Sequence, residues 1–212
     1  VRLKAISCEI LYREMCAAVA RSPHQVDLEF LPKGLHDLGS KGMLRRLQAA
    51  VDAVDESRYE AIALGYALCG NGVAGLQARG RPVALARAHD CITLFLGGKE
   101  RYLDYFDNHP GTYFKTSGWI ERGQNLEQVG ADLTHNYSQL TFIEMGVEPD
   151  DRFERQTRAE AAELGWAFEK VRGDMSLIER LVGAQWDAAD FLVLEPGQRV
   201  EPSYDASVIR AE

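Results

Sequence analysis

Three cysteines stand where an α/β chain would place reactive groups. Cys8 closes the run Ala5-Ile6-Ser7, Cys69 follows Ala61 to Leu64 and leads into Gly70-Asn71-Gly72, and Cys91 ends Arg87-Ala88-His89-Asp90 ahead of Ile92, Leu94, Phe95 and Leu96. In a parallel α/β sheet the carboxyl ends of the strands share one rim, where loops converge and ligands bind. Thiols far apart in sequence can therefore meet there. A helix N-terminus carries a partial positive charge, which should bias a thiol placed at it toward thiolate, the form that binds metals and attacks electrophiles. Three thiolates with one imidazole are an accepted zinc set. His36, beyond the segment Val26 to Leu31, belongs to the same rim and is the candidate fourth ligand. His89 lies two residues before Cys91, so alternation along an extended segment would turn both side chains to one face. Glu144, ending Phe142-Ile143-Glu144, completes the candidate catalytic residues with His36 and His89 as an acid, base or partner to a ligand.

Cysteine is also among the most buried residue types and often acts as a small hydrophobe. That reading suits Cys16, which sits beside Met15 and Ala17 inside a helical pattern. The other three have Glu9, Gly-Asn-Gly and His-Asp as neighbours, residues that belong to loops and sites. There is no CxxC pair, so the argument rests on placement in the fold. Zinc is the first expectation for the ion, and an iron-sulfur cluster on three cysteines with one iron free is the alternative. His24, His109 and His135 read as surface or turn residues.

A second motif competes for part of this region. Gly70-Asn71-Gly72-Val73-Ala74-Gly75 matches G-x-G-x-x-G, and Asp90 lies near where a ribose-binding acid would be sought, so Gly70, Asn71 and Gly72 are candidate cofactor-binding residues of a dinucleotide oxidoreductase. Against this, Tyr66-Ala67-Leu68-Cys69 separates the strand from the glycines. Gly80-Arg81-Pro82 would also end the following helix after about two turns.

The elements that must position these residues alternate along the chain. Strands are expected over Leu3 to Ser7, Val26 to Leu31, Ala61 to Gly65, Val83 to Arg87, Thr112 to Lys115, Leu140 to Glu144, Ala167 to Val171 and Phe191 to Leu194, with helices between them. Met43, Leu44, Leu47, Val51 and Val54 form one helical stripe. Ser176 and Glu179 resemble a capping box, with Gly183 as the stop. Pro149 with Asp150 and Asp151 suits a helix start. The fold class is α/β, Rossmann-like, with a mostly parallel sheet and helices on both faces. Residues 1–212 read as a single domain, or two packed halves divided near Gly118 to Asn125, with the tail from Glu195 wrapping the surface.

Composition narrows the function classes. A chain of 212 residues with 46% hydrophobic and 26% charged residues is long enough for a continuous core and needs no staple. Free thiols or metal ligands are therefore expected of the four cysteines rather than disulfides. No apolar run approaches the roughly 18 residues that cross a bilayer, and the N-terminal run is too broken for a secretory signal, so a cytoplasmic protein without membrane contact is expected. A net charge of −8 repels polyanions, and the one dense basic group, Lys41, Arg45 and Arg46, shares its helix region with Asp52, Asp55 and Glu56. Nucleic acid is not an expected partner. G-x-S-x-G, HExxH and Walker A patterns do not occur.

Ser7-Cys8-Glu9, Leu35-His36, Leu68-Cys69-Gly70, His89-Asp90-Cys91-Ile92-Thr93-Leu94-Phe95-Leu96-Gly97, Pro110-Gly111-Thr112-Tyr113 and Gly118-Trp119 together resemble the family called domain of unknown function 1638. The resemblance extends to Phe191-Leu192-Val193 and Pro196-Gly197. It implies an association with corrinoid-dependent methyl-transfer systems, so the expected partners are a small-molecule substrate or a corrinoid or methyltransferase protein of one-carbon metabolism.

Overall fold

The computed structural model describes residues 1–123 and 136–212. His135 and the far end of the expected division at Asn125 lie outside them. The chain runs β1 (Arg2–Cys8), α1 (Tyr12–Arg21), β2 (Gln25–Leu31), α2 (Gly39–Asp52), β3 (Ala61–Gly65), β4 (Val83–Ala86), α3 (Cys91–Leu96), α4 (Lys99–Asn108) and β5 (Thr112–Lys115). There follow α5 (Ser117–Glu121), β6 (Gln139–Glu144), α6 (Arg152–Leu164), β7 (Ala167–Arg172), α7 (Ser176–Val182), β8 (Phe191–Leu194), β9 (Val200–Pro202) and β10 (Ile209–Ala211). Short 3-10 turns occupy Glu9–Leu11 and Lys33–Leu38.

These elements make a mixed α/β fold with two mostly parallel sheets. The larger has the order β2-β1-β3-β4-β8, parallel except for β8, which runs antiparallel along β4; the smaller is β5-β6-β7, all parallel. The inner strands β3 and β4 are buried along their whole length, as their near-continuous apolar sequences require of a sheet covered on both faces. The edge strands β2 and β7 carry polar residues and are only half covered. The sheets thus part between β4 and β5, upstream of the expected division, and the chain returns to the larger sheet through β8. Sequence periodicity cannot show this return, because sheet partners are chosen by tertiary packing.

Several local expectations are corrected. No helix links β3 to β4; residues 66–82 form turns. Ser176 is the first residue of α7 and caps nothing, while the Asp174 carboxylate accepts its N–H at 2.8 Å. Gly183 ends α7 with a φ of −88°, and the left-handed step falls on Ala184. The tail is core rather than wrapping: β9 and β10 pair as a hairpin with Val200, Val208 and Ile209 buried. Arg87 anchors it by donating to the carbonyls of Phe191 and Ile209.

Candidate functional site

The site begins where the parallel strands end. Cys8 is the last residue of β1, paired in register with Leu31 of β2, and is buried. Beyond β3 the chain stays extended beside the segment that follows β4: Leu68 N–H donates to the Ala88 carbonyl and Cys69 N–H to the His89 carbonyl, both at 2.9 Å. Immediately afterwards Cys69, Gly70 and Asn71 take φ values of 47°, 61° and 67°. Left-handed conformations cost a residue with a Cβ on the order of 1–3 kcal/mol, and surrounding structure must impose them. They turn the chain sharply at the thiol.

Cys91 is the first residue of α3. Its helix is capped by Asp90, whose carboxylate accepts the N–H groups of Ile92 at 3.0 Å and Thr93 at 3.4 Å and the Tyr102 hydroxyl at 3.1 Å. Both Cys69 and Cys91 are half-buried, and all four cysteines are free thiols.

The fold brings Cys8, Cys69 and Cys91 within electrostatic reach of one another. Burial pushes the Cys8 thiol up to about 11 and the Cys69 thiol to about 12, with neighbouring Cys8 among the further causes for Cys69. Cys91 is raised well above its usual range by burial, then by Cys69, Asp90 and Cys8. This reverses the expected thiolate bias. Removing a sulfur anion from water costs more than a helix N-terminus returns, so the unliganded thiols hold their protons. As they stand, no three histidine, cysteine, aspartate or glutamate side chains among the described residues are grouped closely enough to hold a metal ion.

Tyr66 joins the thiols without any motif to announce it. Its hydroxyl is buried with no hydrogen-bond partner, and its acidity is suppressed by burial and by the closeness of Cys8 and Cys69. A buried hydroxyl left unpaired costs about 1–3 kcal/mol, so it marks a place where a partner is wanted.

The remaining predicted residues are more dispersed. His36 is half-buried, its ring centroid 6.3 Å from that of Trp119, and burial lowers its pKa so that the ring stays neutral; Asp37, and none of the thiols, is its charged neighbour. His89 is exposed, because Asp90 turns the chain into α3 and ends the alternation that would have aligned it with Cys91; its contribution is the carbonyl that holds Cys69. Glu144 ends a strand of the smaller sheet and pairs with Lys170 at 3.3 Å. Gly70, Asn71 and Gly72 lie in the turn after Cys69 with no helix behind them, so a pyrophosphate would find no helix N-terminus there. Gly72 instead lets Met43 pack, since a Cβ there would meet the Met43 sulfur at 2.3 Å.

A cleft of about 280 Å³ opens from Cys91 toward the smaller sheet. Asp90 and Cys91 form one side, with Tyr102 and Phe106 of α4; Tyr113 of β5, Trp119 of α5 and Tyr137 face them. Helix α5 can approach this closely because of Gly118, where a Cβ would lie 1.7 Å from the Ile10 carbonyl oxygen. Arg13 clamps the same helix through Glu121, at 2.9 and 2.5 Å. Aromatic residues at these spacings are indistinguishable in sequence from ordinary core, which is why the cleft is not legible there.

Fold and site together define a mixed α/β protein with a thiol-bearing rim opening on an aromatic cleft. The chain belongs to the family described as Protein of unknown function (DUF1638), which matches residues 30–182. Cys69, Cys91 and His36 fall within the match; Cys8 and the segment Phe191 to Gly197 lie outside it. No curated protein and no solved structure matches the chain.

Proposed function

We propose that this is a metal-binding protein with a Rossmann-like disposition of ligands, in which Cys8, Cys69 and Cys91 hold a zinc ion at the sheet rim. The observation that supports the reading is that three free thiols follow three adjacent parallel strands to one rim, where Cys8 and Cys69 neighbour the buried Tyr66 hydroxyl. Soft thiolate donors suit zinc, and ligation supplies the deprotonation that burial alone opposes. Binding on this reading draws the sulfurs together, and the left-handed turn at Cys69 is the segment that adjusts. His36, neutral and half-buried, is the fourth ligand or site base in this proposal; His89 is the alternative.

Bound zinc would supply Lewis acidity toward a thiol or water. The chain's own part is to exclude solvent at Cys8, to aim Cys91 into the cleft and to keep neutral phenols beside it. The proposed setting, with a small substrate and a corrinoid or methyltransferase partner, rests on the family resemblance. A cluster of iron and sulfur on the same three cysteines, which needs no histidine ligand, is the second reading.

Elemental analysis of anaerobically purified protein tests both. Zinc in a colourless protein, lost in Cys8→Ser, Cys69→Ser and Cys91→Ser but kept in Cys16→Ser, supports the first reading. Broad visible absorption with iron, lost in the same three variants, supports the second. Equal metal content in all four variants sinks the ligand assignment.

A further inference from the structure

The aromatic cleft beside Cys91 has a chemistry separate from any metal. Tyr102, Phe106, Tyr113, Trp119 and Tyr137 line it, together with Asp90. Among the described residues that line it, none carries a positive charge. The base nearest in sequence to Tyr113, Lys115, is buried and spent on Glu160. Aromatic faces are the negative side of a ring quadrupole, so walls of this kind together with a carboxylate attract a cation and repel an anion.

The rings are held in place. Tyr102 stacks on Phe106 with centroids 6.0 Å apart, and Tyr113 meets Tyr137 edge-on at 5.3 Å. Tyr102 is tied to Asp90 through its hydroxyl at 3.1 Å, while Asp90 is itself fixed as the cap of α3. Burial raises the pKa of Tyr102 and brings that of Tyr113 to about 12, so both stay neutral phenols with intact ring faces. The cleft volume, about 280 Å³, admits a small organic molecule and little more.

We infer that this cleft is a binding site for a small organic cation, with its charged head set against Tyr113, Trp119 and Tyr137 and balanced by Asp90. The assignment goes beyond the metal reading and does not depend on it.

Choline and its uncharged isostere 3,3-dimethylbutan-1-ol are the probes, titrated calorimetrically into the purified protein. Choline should bind about tenfold or more tightly than the isostere, the cation-specific share expected of a partly desolvated aromatic site. Asp90→Asn keeps an oxygen to cap α3 and should weaken choline about fivefold or more while leaving the isostere unchanged. Trp119→Leu should weaken choline more than the isostere, and thermal melts of both variants establish that they fold. Equal affinity for the two probes, no binding of choline at tens of millimolar (about), or undiminished choline binding by folded Asp90→Asn and Trp119→Leu would each overturn the assignment. Cys8→Ser, which does not line the cleft, separates the two readings: loss of metal with choline binding retained leaves the cation site standing alone.

Discussion

Cys69 donates its backbone N–H to the carbonyl of His89 at 2.9 Å, a bond between two loops that have already left their strands. It prolongs the β3–β4 pairing beyond the last named strand residues and brings Cys69 alongside the approach to Cys91. The left-handed turn follows at once, so the thiol sits at the last point where the β3 loop is still held by its neighbour.

That turn should be sensitive to its residue types. Gly70 has a φ of 61° and open space around its Cα, so Gly70→Val is opposed by backbone conformation rather than by a clash. The expected loss is about 1–2 kcal/mol in chemical denaturation. Asn71→Gly, at a φ of 67°, should be neutral or slightly stabilising. A Gly70→Val protein as stable as the parent would show that the left-handed turn is not imposed.

Tyr66→Phe removes a buried hydroxyl that has no partner. Metal-free protein should gain about 1 kcal/mol, because the desolvation penalty disappears with the group. Protein loaded with the ligand that satisfies the hydroxyl should gain less, and the difference between the two melts reads out whether Tyr66 faces that ligand.

Glu14 supplies a pH dependence. It is wholly buried on α1 with both carboxylate oxygens unpaired, and burial foremost, with Glu148 adding, raises its pKa from 4.5 to about 8. Between those values the folded chain keeps a proton that the unfolded chain releases, so stability falls as pH rises from 4.5 toward 8. Glu14→Gln should match the parent at acid pH and exceed it by a few kcal/mol (about) near pH 8, as denaturant midpoints measured across the range will show. A constant difference across that range would rule the protonated carboxyl out.

Gly118→Ala would set a Cβ 1.7 Å from the Ile10 carbonyl oxygen, a backbone atom that cannot step aside. A loss of about 2–4 kcal/mol is expected. Because α5 must back away, Trp119 moves with it and the cleft widens, so fluorescence from Trp119 should change along with the melting temperature.

The strands were legible because their apolar runs are short, β-branched and bounded by turn residues. Each of the eight expected strands is present within two residues at either end. The 66–82 segment was not, since Val73, Leu76 and Ala78 are buried as a helix stripe would be but belong to turns that pack individually. The three cysteines were legible through their position after strands. Tyr66 and the cleft aromatics were hidden, because a ring lining a site and a ring filling a core have the same residue type and no distinguishing period.

By itself, then, the order of residues determined the α/β alternation, the strand segments and the delivery of Cys8, Cys69 and Cys91 to one rim. These follow from local periodicity and from the single direction that parallel strands impose. Tertiary structure alone decided the division into two sheets, the return of β8, the exposure of His89 and the high proton affinity of the thiols. Those outcomes depend on which surfaces exclude water from which groups, and burial is a property of neighbours brought from elsewhere in the chain.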